Sequence, residues 1–180
     1  MPPPQPRVEI EEIFRFAADF RAAVEPCWDD ETRHPEMKPV PNGRPNSYGQ
    51  CWQSSIVLLG ELEEKFPGEP FELVKGSVMK LGSTALYNII DYHAWVNWKL
   101  PGHNAHLVDV TGDQAGDITL LPVTVNRYAD LAEEGIVYIT TGSYGDLCEA
   151  TRMLSKKELG RHLLDQAAVL GQRYRDVRRF

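Results

Sequence analysis

Cys51-Trp52-Gln53-Ser54-Ser55-Ile56-Val57-Leu58-Leu59-Gly60 carries no charge, and Glu61-Leu62-Glu63-Glu64-Lys65 follows it at once. A helix apolar almost all round is a buried helix. Gln50–Phe66 therefore reads as a helix whose first half enters a core and whose second half emerges into water, ended by Pro67-Gly68. Beyond it the period changes. Phe71–Leu81 and Asp91–Leu100 read as strands, the second carrying Tyr92, Trp95, Val96 and Trp98. Leu100-Pro101-Gly102-His103-Asn104 is turn chemistry, and Ala105–Thr111 reads as the returning strand.

Val8–Val24 is an amphipathic helix with Ile10, Ile13, Phe14, Ala17, Phe20 and Val24 in one stripe. Between Asp29 and Gly49 the pattern disappears. Pro35, Pro39, Pro41, Pro45 and Asn42-Gly43 make a long surface loop of the kind that often binds a ligand or acts as a lid. Asn126–Glu134 reads as a short helix stopped by Gly135, and Ile136–Thr140 as a strand. Ser155-Lys156-Lys157-Glu158 reads as a capping box opening a last helix with Leu159, Leu163, Ala167, Leu170, Tyr174 and Val177 in its stripe. Helices flanking antiparallel strands define an α+β class. The expected organisation is a disordered leader, residues 1–7, and one domain over 8–180.

The chain has 180 residues, 42% hydrophobic and 25% charged, which is globular rather than disordered or fibrous composition. Apolar runs such as Ile56–Leu59 fall far short of the ~20 residues of a membrane span, so no membrane association is expected. Three cysteines argue against a disulfide framework. With no secretory pattern at the start, a cytoplasmic location is expected. A net charge of −7 argues against general nucleic-acid binding. The charge is uneven. Residues 152–180 carry eight basic and three acidic side chains, either a solvated helix face or a docking surface for an acidic partner.

Three places carry chemistry. Cys51 sits where the loop turns into the buried helix, His93 early in an aromatic strand, and Asp109 in the next strand, where propensity disfavours it. A free thiol is mostly protonated at neutral pH, and helix N-terminal amides and an adjacent imidazolium both favour the thiolate. The imidazole in turn needs an orienting group on its other nitrogen. Taken singly, these are a core cysteine, a sheet histidine and an isolated carboxylate. Taken together, they supply all three roles.

Cys51, His93-Ala94-Trp95-Val96 and Val108-Asp109-Val110-Thr111 resemble the core of the transglutaminase-like branch of papain-like thiol enzymes. That family has a cysteine opening a buried helix, then an His-x-Trp-Val strand, then an Asp-x-Thr strand. The separations of 42 and 16 residues are similar to the family's. The resemblance spans residues 46–125 and extends through Gly112-Asp113-Gln114. It implies a papain-like fold with the cysteine-bearing helix packed on an antiparallel sheet. It also implies Cys51 as nucleophile, His93 as general base and acid, and Asp109 as orienter.

The implied activity is acyl hydrolysis or acyl transfer at an amide bond of a protein or peptide, of peptidase, isopeptidase, deamidase or transglutaminase type, with no metal or other cofactor. The family's upstream glutamine is missing. The Cys51 backbone N–H is one oxyanion donor, Gln50 or Asn46 a candidate second, and Trp52 and Trp95 candidate substrate contacts. The alternative is a non-catalytic interaction module docking through the Asp29–Gly49 loop or the basic C-terminal helix.

Two structural expectations follow. His93 and Asp109 must share a sheet face, which needs an odd-length hairpin loop. A three-residue loop puts them opposite one another, a five-residue loop Leu100–Asn104 makes them diagonal neighbours, and a regular four-residue loop separates them. His106 then faces away from Asp109, which argues against a metal site at His103-Asn104-Ala105-His106. Second, Cys51 is the only cysteine expected to open a helix and has no charged residue within six positions. Cys27 and Cys148 have acidic neighbours that would raise their pKa, so Cys51 is expected to alkylate first.

Overall fold

A computed structural model of the chain describes residues 8–100, 105–116 and 120–179; the expected leader and most of the hairpin turn lie outside them. The uncharged stretch forms α2, Cys51–Lys65, with its first turns buried. Downstream, β1 (Phe71–Leu81), β2 (Leu86–Trp98), β3 (His106–Asp109), β4 (Thr124–Arg127) and β5 (Ile136–Gly145) build a five-stranded sheet in the order β4-β3-β2-β1-β5. Every pairing is antiparallel. Helices α1 (Ile10–Val24), α3 (Tyr128–Glu133), α4 (Leu147–Leu154) and α5 (Glu158–Arg178) complete an α+β architecture. No helix among the described residues is long and apolar enough to cross a membrane.

Strand alternation sorts the core into two layers. Phe71, Leu73, Ala94, Val96, Trp98 and Val108 pack under α1, α2, α4 and α5. Val74, Val78, Trp95 and Leu107 point the other way and meet Leu120, Leu131 of α3, Ile136 and Tyr138. Ile90 breaks the alternation. It lies three residues before His93, so a regular strand would put the two on opposite faces. The register shift between Gly76/His93 and Val78/Ile90 leaves Asp91 and Tyr92 opposite Ser77 alone. That bulge puts Ile90 and Trp95 in one layer.

Several boundaries differ from the sequence reading. β2 begins at Leu86 and β5 continues to Gly145, and β4 precedes α3 where a single helix was expected. The capping box is overturned. Ser155 closes α4, its hydroxyl donating to the Arg152 carbonyl at 3.0 Å, and α5 starts after Lys157 without a side-chain cap. Helix α4 was not anticipated because its eight residues bury only Ala150 and Leu154, too few to show a period. The helix stripes also run past the core, since Ile10, Phe14, Leu159 and Val177 are exposed.

Candidate active site

The β2–β3 ladder pairs Val96, Asn97 and Trp98 with Val108, Leu107 and His106. This is the diagonal register, with His93 and Asp109 two residues offset on the same face. His93 Nε2 lies 2.6 Å from Asp109 Oδ2, and both side chains are wholly buried. His106 occupies the other face, its ring 5.5 Å from that of Trp98. Because the ladder stops at Val96, β2 runs on past β3 with no strand partner on that side among the described residues. The N-terminus of α2 arrives there, with Cys51 Sγ 3.9 Å from the Tyr92 carbonyl oxygen and its thiol beside the His93 imidazole.

Asp109 is held on both oxygens. The Thr111 N–H donates to Oδ1 at 2.8 Å and the Tyr138 hydroxyl to Oδ2 at 2.8 Å. Burial works against ionising this carboxyl, but the imidazole and these hydrogen bonds outweigh it and hold its pKa below the ordinary value. Burial likewise opposes a charged imidazole. The Asp109 carboxylate, followed by Cys51, outweighs it and pulls the His93 pKa above its ordinary value.

Two neighbours of the dyad were given no role by the sequence reading. Tyr138 comes from β5, on the far side of β1, and nothing local marks it. Gln114 lies in the short 3₁₀ turn Gly112–Ala115. Its Nε2 sits 2.5 Å from His93 Nδ1 and its Oε1 accepts from the Gly49 N–H at 3.3 Å. A Cβ on Gly112 would stand 2.9 Å from the Leu121 carbonyl oxygen, so glycine lets the turn pass this closely under Leu121. Buried Arg21 of α1 anchors the turn. It pairs with both oxygens of Asp113 at 2.9 and 3.0 Å, donates to the Val110 carbonyl at 2.7 Å, and lies over the Trp28 ring.

The other candidates are placed differently. Gln50 is buried and its amide donates to the Asp29 carbonyl at 3.1 Å, a contact within the loop. Asn46 is exposed on the loop. Trp52 packs edge-on against Tyr144, and Trp95 donates to the Tyr128 hydroxyl at 2.6 Å inside the second core layer. Both tryptophans thus have packing partners. Cys148 is the second residue of α4, so Cys51 is not alone in opening a helix. Cys148 is exposed, while Cys51 and Cys27 are buried. Burial, ahead of Asp29, does raise the Cys27 thiol pKa, against an opposing pull from Arg173.

Searches with the chain found no matching family model, no matching curated protein and no matching solved structure.

Proposed function

We propose that the chain is a thiol-dependent acyl hydrolase or acyl transferase of papain-like, transglutaminase-like type, with Cys51, His93 and Asp109 as its triad. The observation that carries this reading is the buried 2.6 Å contact between His93 and Asp109, with the thiol at the N-terminus of α2 beside the same imidazole. A buried carboxylate on Nε2 is the arrangement that orients an imidazole as a base toward a thiol. In the reaction the thiol proton passes to Nδ1 and the thiolate adds to an amide carbonyl. The C–N bond then breaks as the amine leaves with the Nδ1 proton. Water resolves the acyl-Cys51 to a carboxylic acid, and an amine acceptor resolves it to a new amide. The substrate class we propose is a protein or peptide amide.

A second reading, a non-catalytic module that keeps the site's framework, is favoured by two observations. Cys51 is buried, at 5% exposure, and the nitrogen that must take its proton already carries the Gln114 amide. Labelling with a thiol-directed acyl probe separates the two. Turnover that is lost in Cys51→Ala and falls by about 100-fold or more in His93→Ala supports the enzyme. Slow labelling, equal in wild type and His93→Ala, supports the module.

A further inference from the structure

Resting on the thiol-enzyme reading of the same site, we propose that Gln114 is a positioning residue for His93. Its amide keeps the imidazole proton on Nε2 and leaves Nδ1 unprotonated while the site is closed.

The orientation of the Gln114 amide decides this, and Gly49 decides the orientation. A backbone N–H can only donate, so the Gln114 atom facing it at 3.3 Å is Oε1 and the atom facing His93 Nδ1 is the NH₂. An NH₂ at 2.5 Å needs a lone pair on Nδ1, which leaves the ring proton on Nε2, pointing at Asp109. Rotating the amide would set its NH₂ against the Gly49 N–H, two donors face to face.

Gly49 is itself held in place. It has φ +73°, its added Cβ would meet Met37 Cβ at 2.8 Å, and its carbonyl accepts from the His34 N–H at 2.9 Å. The thiol has another acceptor, the Tyr92 carbonyl oxygen, so no contact obliges it to give its proton to the ring.

The titratable groups facing His93 are Asp109 from β3, Tyr138 from β5 and Cys51 from α2. Asp109 and Cys51 pull toward imidazolium and burial opposes it; the Gln114 NH₂ on Nδ1 adds a contact that a second ring proton would turn into donor against donor. Acyl transfer moves the Sγ–H proton to Nδ1, leaving a thiolate and an imidazolium whose Nε2–H stays with Asp109. Gln114 must leave Nδ1 for that step, and its other tie is to the last residue of the Asp29–Gly49 loop. One amide thus ties the protonation of His93 to the position of Gly49.

The test reads protonation, which needs no turnover. In ¹⁵N-histidine-labelled protein at pH 7, His93, assigned by comparison with His93→Gln, should show a protonated Nε2 and an unprotonated Nδ1. Gln114→Met keeps the volume and removes the donor. In a Cys148→Ser background, the pH midpoint for iodoacetamide modification of Cys51 should fall by about one unit or more, a shift in the protonation balance that lost packing would not produce. Gln114→Glu offers a carboxylate to Nδ1–H, and His93 should then be protonated on both nitrogens at pH 7.

A wild-type His93 protonated on Nδ1, or a Cys51 midpoint unmoved or raised in Gln114→Met, overturns the assignment. If Gln114→Met does not fold, the wild-type spectrum decides. A protein that never turns over the acyl probe yet shows the Nε2-only histidine refutes the enzyme reading and leaves the Gln114 assignment standing. Turnover with a doubly protonated resting His93 does the reverse.

Discussion

Oδ2 of Asp109 takes two hydrogen bonds at once, from His93 Nε2 and from the Tyr138 hydroxyl. Tyr138→Phe deletes one donor to a buried carboxylate and should cost about 1.5–3 kcal/mol in urea unfolding. Asp109 also makes stability depend on pH. A carboxyl whose pKa is lower folded than unfolded contributes stability above the unfolded value of about 3.9, and loses it as pH falls through the folded value. The urea midpoint of the wild type should therefore drop below about pH 4. In Asp109→Asn, less stable at pH 7, that acid limb should be shallower; an unchanged acid limb would assign it to other carboxylates. Reactivity at this scale follows exposure. A bulky maleimide at pH 7 should modify Cys148 well before Cys27 or Cys51, as checked by site-resolved mass spectrometry.

Strand β2 is the element that makes the site, and it does so by being irregular. Tyr92 has φ +56°, a conformation costing a non-glycine residue roughly 1–2 kcal/mol, and stands 80% exposed at the bulge. On the partner strand, Gly76 stands opposite His93, next to the bulge. A Cβ on Gly76 would fall 1.8 Å from the Ile139 carbonyl oxygen and 2.8 Å from the Trp95 ring. Gly76→Ala should thus push β1 away from β5 and cost about 3 kcal/mol or more in denaturant unfolding. The ¹⁵N signals of His93 should move with it; an alanine variant of wild-type stability would mean that the strands have slack this close approach does not show. The β2 boundary was hard to read for the same reason. Leu86–Ile90 lies on the part of the strand beyond β3, where exposed and buried residues do not alternate.

The site joins distant parts of the chain, and Arg21 shows how. From α1 it reaches the turn that carries Gln114, so a chain of contacts joins the N-terminal helix to His93. Arg21→Met would take the buried guanidinium from the half-buried Asp113 carboxylate, from Glu25 and from the Val110 carbonyl, costing about 1.5–3 kcal/mol, and Arg21→Met with Asp113→Asn should recover part of it. A double variant no more stable than the single one would mean that the Val110 carbonyl, not the ion pair, carries the loss.

The sequence alone determined that α2 is buried, because an uncharged helix half has no water-facing side. It also determined that His93 and Asp109 can share a face only in an odd-loop register, because side chains alternate with period two. Cys51, His93 and Asp109 were legible as a group because each is odd in its local context. Tertiary structure alone brought Tyr138, Gln114 and Arg21 to the dyad and placed Cys148 in the open and Cys51 in the closed interior. No local pattern encodes those contacts. Each joins residues far apart in the chain, whose meeting is set by the sheet order, the bulge in β2 and the close turn at Gly112.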